Sequence, residues 1–320
     1  IVVDRSRIAM SHPLDSAGYR RLLDLQRRIH DYCEREGAED GRDHSDPAEP
    51  LWPTDFNHVT VAPMRAGLHV RYFGGAWDEP FDWTLQCLAE RDVADLVTDL
   101  AFSGLDEGAN GSREWDFGPL LDSDGRFPML RSLYVRPTEP ADHNQSMIVR
   151  RGLIMQEGGE IARFAAKAPF LTELTVPNAP DAHFFDVPLA HLERLRIGGG
   201  DDTQQFIEHL AGSDNLSSLG WLDFSESTAL HSTWKRERDA GSVTSFDAYE
   251  RLLKSPAGQR LHRLTLRNTC LDREALDALQ ALHPRLSLMV IQAGTGGYVS
   301  HFKDNVFPSR HLIQRDPGDA

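Results

Sequence analysis

"LHRLTLRNTCLDREALDALQAL", residues 261–282, holds two periodicities in one short run. In its first half Leu264 and Leu266 fall on one side of an extended strand, while Arg263, Thr265 and Arg267 fall on the other. In its second half Leu276, Leu279 and Leu282 recur at helical spacing behind Asp272. An aspartate at that position can accept hydrogen bonds from the free N–H groups of a first helical turn. A strand that feeds an amphipathic helix is half of a crossover, and the fold depends on whether a parallel strand follows beside it.

The apolar-x-x-apolar-x-apolar template of this strand occurs five more times upstream, at Val97/Leu100/Phe102, Leu130/Leu133/Val135, Leu171/Leu174/Val176, Leu192/Leu195/Ile197 and Leu219/Leu222/Phe224. A worn copy follows at Leu286–Ile291. Helix-like stretches at 158–169, 201–212 and 272–282 stand between the copies. Strand then helix, repeated, predicts parallel strands with every helix on the same side.

From Val97 to Ile291 the pattern resembles the leucine-rich repeat family. The likeness is most specific in "LHRLTLRNTCL", with Thr269 where the family has Asn or Cys. It implies an α/β solenoid with a curved parallel sheet on its concave side and helices on its convex side. The ninth position of the other copies is Leu105, Thr138, Ala179, Gly200 or Ser227, so no asparagine ladder can form and the turns must vary. The copies start 21 to 42 residues apart, so the longer ones carry insertions. Ahead of the repeats, "HVRYFGGAWDEPFDWTLQ" (69–86) is similar to a group of bacterial cytoplasmic leucine-rich repeat proteins, a likeness that brings no activity with it.

The rest of the chain is divided accordingly. Residues 1–36 are an N-terminal helix, running from about Asp15 to Glu36 and ending at Gly37. The stretch "GAEDGRDHSDPAEP" (37–50) is too acidic and too poor in large aliphatic side chains to bury a core, and reads as a flexible linker. Residues 51–95 form a cap with a hairpin made from "HVTVA" and "GLHVRYF", residues 96–292 are the irregular repeats, and 293–320 are a C-terminal tail.

Bulk properties narrow the function classes. A net charge of -15 argues against a nucleic-acid or anionic-membrane binder. Three cysteines without a C-x-x-C pair suggest neither a disulfide framework nor a zinc site. No apolar run reaches the ~18 residues of a membrane span, and no secretory apolar region follows a basic start, so the expected location is cytoplasmic. A P-loop, a dinucleotide-binding glycine run, a nucleophile elbow and an H-E-x-x-H pair are all missing, and no cofactor or metal is expected. Asp122, Asp124 and Gly125 in "LLDSDGRF" fall short of a calcium loop and read as a turn.

The residues between the ladder leucines fall in columns. The first is Asp99, Ser132, Glu173, Arg194, Trp221 and Arg263, and the second is Ala101, Tyr134, Thr175, Arg196, Asp223 and Thr265. The third is Ser103, Arg136, Pro177, Gly198, Ser225 and Arg267. Aromatic and arginine side chains dominate interface anchors, so the candidate binding residues are Tyr134, Arg136, Arg194, Arg196, Trp221, Asp223, Arg263 and Arg267. The expected function is noncatalytic recognition of a protein partner, one with an acidic surface, through the concave sheet. Arginines stacked on Trp221 or paired with Asp223 would equally suit an ordinary solvated sheet. One rival is an enzyme or enzyme accessory that uses Trp77, Asp78, Glu79, Asp82 and Trp83 between the cap and the concave face. Another is a self-assembling homo-oligomer built on edge strands or on the apolar insertion at 139–159. The loop at 232–242, with Trp234, is expected beside the concave face.

Overall fold

A computed structural model describes residues 13–39, 57–105, 111–139, 142, 144–150, 157–198, 202–226 and 244–291. The start of the chain, the acidic stretch from 40, part of the 139–159 insertion, the Trp234 loop and the tail from 292 lie outside the described residues.

The strands are β1 (His58–Met64), β2 (Gly67–Phe73), β3 (Val97–Ser103), β4 (Gly111–Trp115), β5 (Ser132–Val135), β6 (Asn144–Ile148), β7 (Glu173–Val176), β8 (Arg194–Gly198), β9 (Trp221–Ser225), β10 (Arg263–Arg267) and β11 (Ser287–Ile291). Nine of them form one sheet in the order β1-β2-β3-β5-β7-β8-β9-β10-β11. Only the β1–β2 hairpin is antiparallel; every other junction is parallel. The chain is thus a mixed α/β protein with a mostly parallel central sheet. All seven template strands are present, and each lies beside the next in sequence order.

Alternation along each strand produces two unlike faces. Leu100, Leu133, Leu174, Leu195, Leu222 and Leu264 lie on one side with Phe102, Val135, Val176, Ile197, Phe224 and Leu266, all inside the core. Each such burial contributes roughly 1.5–3 kcal/mol. The helices Glu160–Lys167, Phe206–Ala211, Phe246–Lys254 and Arg273–Leu282 bury their apolar stripes in the same core. Asp272 caps the last of these, accepting from the Ala275 N–H at 2.8 Å. At the sheet's N-terminal end Tyr72, Phe81, Phe102, Trp115 and Phe117 pack with ring centroids 4.9 to 6.5 Å apart.

Several expectations need adjustment. The first helix runs Ala17–Glu39, through Gly37 rather than ending there, and Ser16 caps it by accepting from the Tyr19 N–H at 3.1 Å. The helix expected over 201–212 is only Phe206–Ala211, because Gln204 and Gln205 sit at φ 53° and 50°, outside helical geometry. The helices Glu79–Ala89 and Phe246–Lys254 were not anticipated, although Ser245 and the spacing of Tyr249, Leu252 and Leu253 signal the second. The described part of the 139–159 insertion packs onto the scaffold. Its strand β6 is buried throughout and pairs in parallel with β4 as a separate two-stranded sheet. The Asn178 side chain brackets β6, accepting from the Ile148 N–H at 2.9 Å and donating to the Ile148 carbonyl at 3.2 Å. Where the family has its asparagine, the Thr269 hydroxyl donates to Glu226 at 2.7 Å, and the buried Tyr249 hydroxyl donates to the same oxygen at 2.6 Å.

Candidate functional site

The sheet face turned away from the helices carries the columns read from the sequence. The ladder aligns Asp99, Ser132, Glu173, Arg194, Trp221 and Arg263 in one row, and Ala101, Tyr134, Thr175, Arg196, Asp223 and Thr265 in the next. These residues are neighbours because each strand pairs in the same register as the one before it, about 4.8 Å away. Arg267 lies beside Ser225 in the third row, whereas Arg136 lies just past the end of β5.

Two clusters emerge. In the first, Arg267 grips Asp223 in a two-point contact, Nε to one carboxylate oxygen at 2.6 Å and a terminal nitrogen to the other at 2.9 Å. Asp223 is only 4% exposed, so it is a structural counter-ion and not a free contact residue. That pairing holds the Arg267 guanidinium above its usual pKa. Arg136 is tied to Asp142 and to the Gly104 carbonyl, both at 2.5 Å, and Arg196 stands 3.5 Å from Glu139. Tyr134 sits among Arg71, Arg136, Arg196 and Glu139, with burial raising its hydroxyl pKa.

The second cluster centres on Trp221. The guanidinium carbons of Arg194 and Arg263 stand 5.7 and 5.5 Å from its ring centroid, within cation–π range. Arg194 also pairs with Glu173 at 2.8 Å. Among the described residues Arg263 has no carboxylate partner. The Trp221 Nε1–H is shielded from solvent and has no acceptor among the described residues.

The structure therefore gathers Tyr134, Arg136, Arg196, Asp223 and Arg267 in one group and Arg194, Trp221 and Arg263 in another. Sequence reasoning missed the counter-ions Glu139 and Asp142. They lie after β5, off the columns, and reach the arginines only through the path of the turn. Glu173 was legible, since it stands next to Arg194 in the first row.

The acidic-aromatic cluster at 77–83, ahead of β3, has structural work. Asp78 begins the Glu79–Ala89 helix and accepts from the Asn57 amide at 2.8 Å. Trp83 packs edge-on against Tyr32 and lies under Arg28, whose guanidinium is 3.7 Å from its ring centroid. In the calcium-like turn, cationic side chains of the chain itself occupy the oxygens. Lys167 Nζ donates to the Ser123 and Gly125 carbonyls at 2.5 and 3.1 Å, and Arg163 to Asp122 at 2.6 Å. Among the described residues no group of three or more His, Cys, Asp or Glu side chains could hold a metal ion, and no helix is long and apolar enough to cross a membrane.

The chain matches no protein-family model. No curated protein is detectably similar to it.

Proposed function

We propose that the chain is a leucine-rich repeat solenoid that recognises a protein partner through the open, concave face of its sheet and catalyses no reaction. The observation that carries this reading is the Arg194–Trp221–Arg263 stack. It keeps an indole and two guanidiniums on the solvent side of a rigid parallel ladder. Trp and Arg held in place before binding lose little conformational freedom on contact, which favours affinity. The unbroken register from β3 to β10 supports the repeat reading, because each strand adds one more row position to the same surface.

The test replaces Trp221 and Arg263 together by Ala and compares partner capture from native lysate with that of the unaltered chain. Loss of a specific captured protein with unchanged circular dichroism is the expected result. Recovery of the same protein at the same yield overturns the proposal.

A second reading, self-association, is favoured by one observation. Among the described residues β11 is the last strand of the sheet, its Met289 is 38% exposed, and its core-side Leu288 and Val290 are only partly buried. An edge of that kind can pair with a second copy. Light scattering over a dilution series decides it: a monomer at every concentration removes this reading.

A further inference from the structure

Among the described residues, four arginines of the candidate face are ion-paired within the chain, and a second group of cations near Trp221 is not. Within the sheet, Arg136, Arg194, Arg196 and Arg267 each have a carboxylate of the chain's own, namely Asp142, Glu173, Glu139 and Asp223. A partner carboxylate arriving there would have to compete with one already in place. The second set stands at the N-terminal ends of β10 and β11. It comprises Arg260 at the end of the short helix Pro256–Arg260, His262 just ahead of β10, Arg263 in β10 and Arg285 two residues ahead of β11.

Backbone pairing sets the starts of these two strands side by side. Arg263 is paired with Ser287, and the Ser287 N–H donates to the His262 carbonyl at 2.9 Å. Arg285 lies two residues ahead of Ser287, in the turn closed by the Leu286 N–H to the His283 carbonyl, and Arg260 lies two residues ahead of His262. All four side chains are exposed. Among the described residues none of them is ion-paired with a carboxylate. Two are also positioned. The His262 ring lies against Gly220, where an added Cβ would come within 2.5 Å of it, and the Arg263 guanidinium is stacked on Trp221. A guanidinium held within cation–π range and without a carboxylate of its own can still make a two-point contact with a carboxylate.

We propose that this rim, Arg260, His262, Arg263 and Arg285 beside Trp221, binds an acidic stretch of the partner, an extended segment bearing several Asp or Glu side chains. The inference rests on the recognition reading above and specifies where on the face the charge is read. Charge complementarity carries it. The chain as a whole has a net charge of -15, so an acidic segment is repelled over most of the surface and attracted at this corner, which fixes its place and direction. A nucleic acid fits less well, because its phosphates need a continuous basic track and these groups occupy one corner of an acidic molecule.

Fluorescence anisotropy with the full chain tests the proposal, using three labelled probes: a short Glu-Ser peptide, its Lys-Ser counterpart and a single-stranded oligodeoxynucleotide of equal length. The Glu-Ser peptide should bind, and should weaken with added salt. The double variant Arg263→Glu with Arg285→Glu should weaken it roughly tenfold or more. Arg91→Glu, an exposed charge reversal on the N-terminal cap, should change it less than about twofold. The proposal is overturned if the Glu-Ser peptide binds no better than the Lys-Ser peptide, if Arg91→Glu weakens it as much as the rim pair does, or if the oligonucleotide binds more tightly than the peptide. Partner capture that depends on Trp221 but survives Arg285→Glu, with no Glu-Ser binding, removes the rim inference and leaves the recognition reading standing.

Discussion

The two faces of the central sheet are made from alternate residues of the same strands, and they solve opposite problems. In β10, Leu264 and Leu266 are fully buried, while on the other side Arg263 is exposed, Thr265 is buried and Arg267 is half-buried. On the helix side the free energy comes from apolar area withdrawn from water, which is non-directional and tolerates varied partners. On the open side it comes from pairs that need particular geometry, such as the two-point Arg267–Asp223 contact. Stability is therefore concentrated behind the sheet, and recognition chemistry in front of it.

The sharpest way to break this contrast is to place a charge on the wrong side. Leu264→Asp puts an unpaired carboxylate where no water or donor waits, and should destabilise by about 5 kcal/mol or more, abolishing the cooperative thermal melt. A normal melt in that variant would mean that the strand register is wrong.

Buried carboxylates also differ between the faces. Behind the sheet, Glu157 is 5% exposed and faces backbone donors: the Gly159 and Ile161 N–H groups at 3.1 and 2.8 Å and the Asp181 N–H at 2.8 Å. Gly159 adopts φ 95°, a conformation open to glycine, to deliver its N–H. Burial pushes the Glu157 pKa up to about 7, and the neighbouring Asp181 adds to the rise. Between the unfolded value near 4.5 and about 7 the folded chain holds more protons than the unfolded one. This group's contribution to stability is thus greatest below that window and is lost as pH rises through it, by about 2–3 kcal/mol. Denaturant titrations at pH 5 and pH 8 measure the loss, and Glu157→Gln should flatten it. An unchanged pH slope in that variant would sink the assignment.

In front of the sheet, Asp223 has a guanidinium instead. Asp223→Ala strands Arg267, but that side chain is 27% exposed and partly solvated, so the cost should be about 1–2 kcal/mol. Arg267→Met added to it should recover part of the loss in urea titrations. A cost as large as that of Leu264→Asp would show that the open face belongs to the core. The smallest effect is expected for Trp221→Ala, at or below about 1 kcal/mol with unchanged circular dichroism. Such a variant that unfolds would make Trp221 a structural residue and leave the recognition proposal without its anchor.

Much of this organisation was legible in single residues. The template leucines specify the strands because period-two alternation is local, and Asp272 marks the start of the last helix because capping is local too. The columns of the open face were readable once the strands were taken as parallel and in register. Glu139 and Asp142 were not readable, since nothing in their spacing says that the turn after β5 brings them to Arg196 and Arg136. The β4–β6 pair was also hidden. Its members are 33 residues apart from first residue to first residue, and Arg113, Gln145 and Asn144 look like surface residues until they are found buried.

The sequence by itself determined the alternation, the order of the template strands and the side of those strands that faces the core, because these follow from local periodicity and the cost of exposing leucine. Tertiary structure alone decided which charges are spent on each other. Ion pairing depends on distances of a few ångströms between residues far apart in the chain, such as Arg267 and Asp223, and no local pattern encodes them. For that reason all five arginines of the candidate face looked alike in sequence, while in the folded chain four have carboxylates of their own and, among the described residues, Arg263 has none.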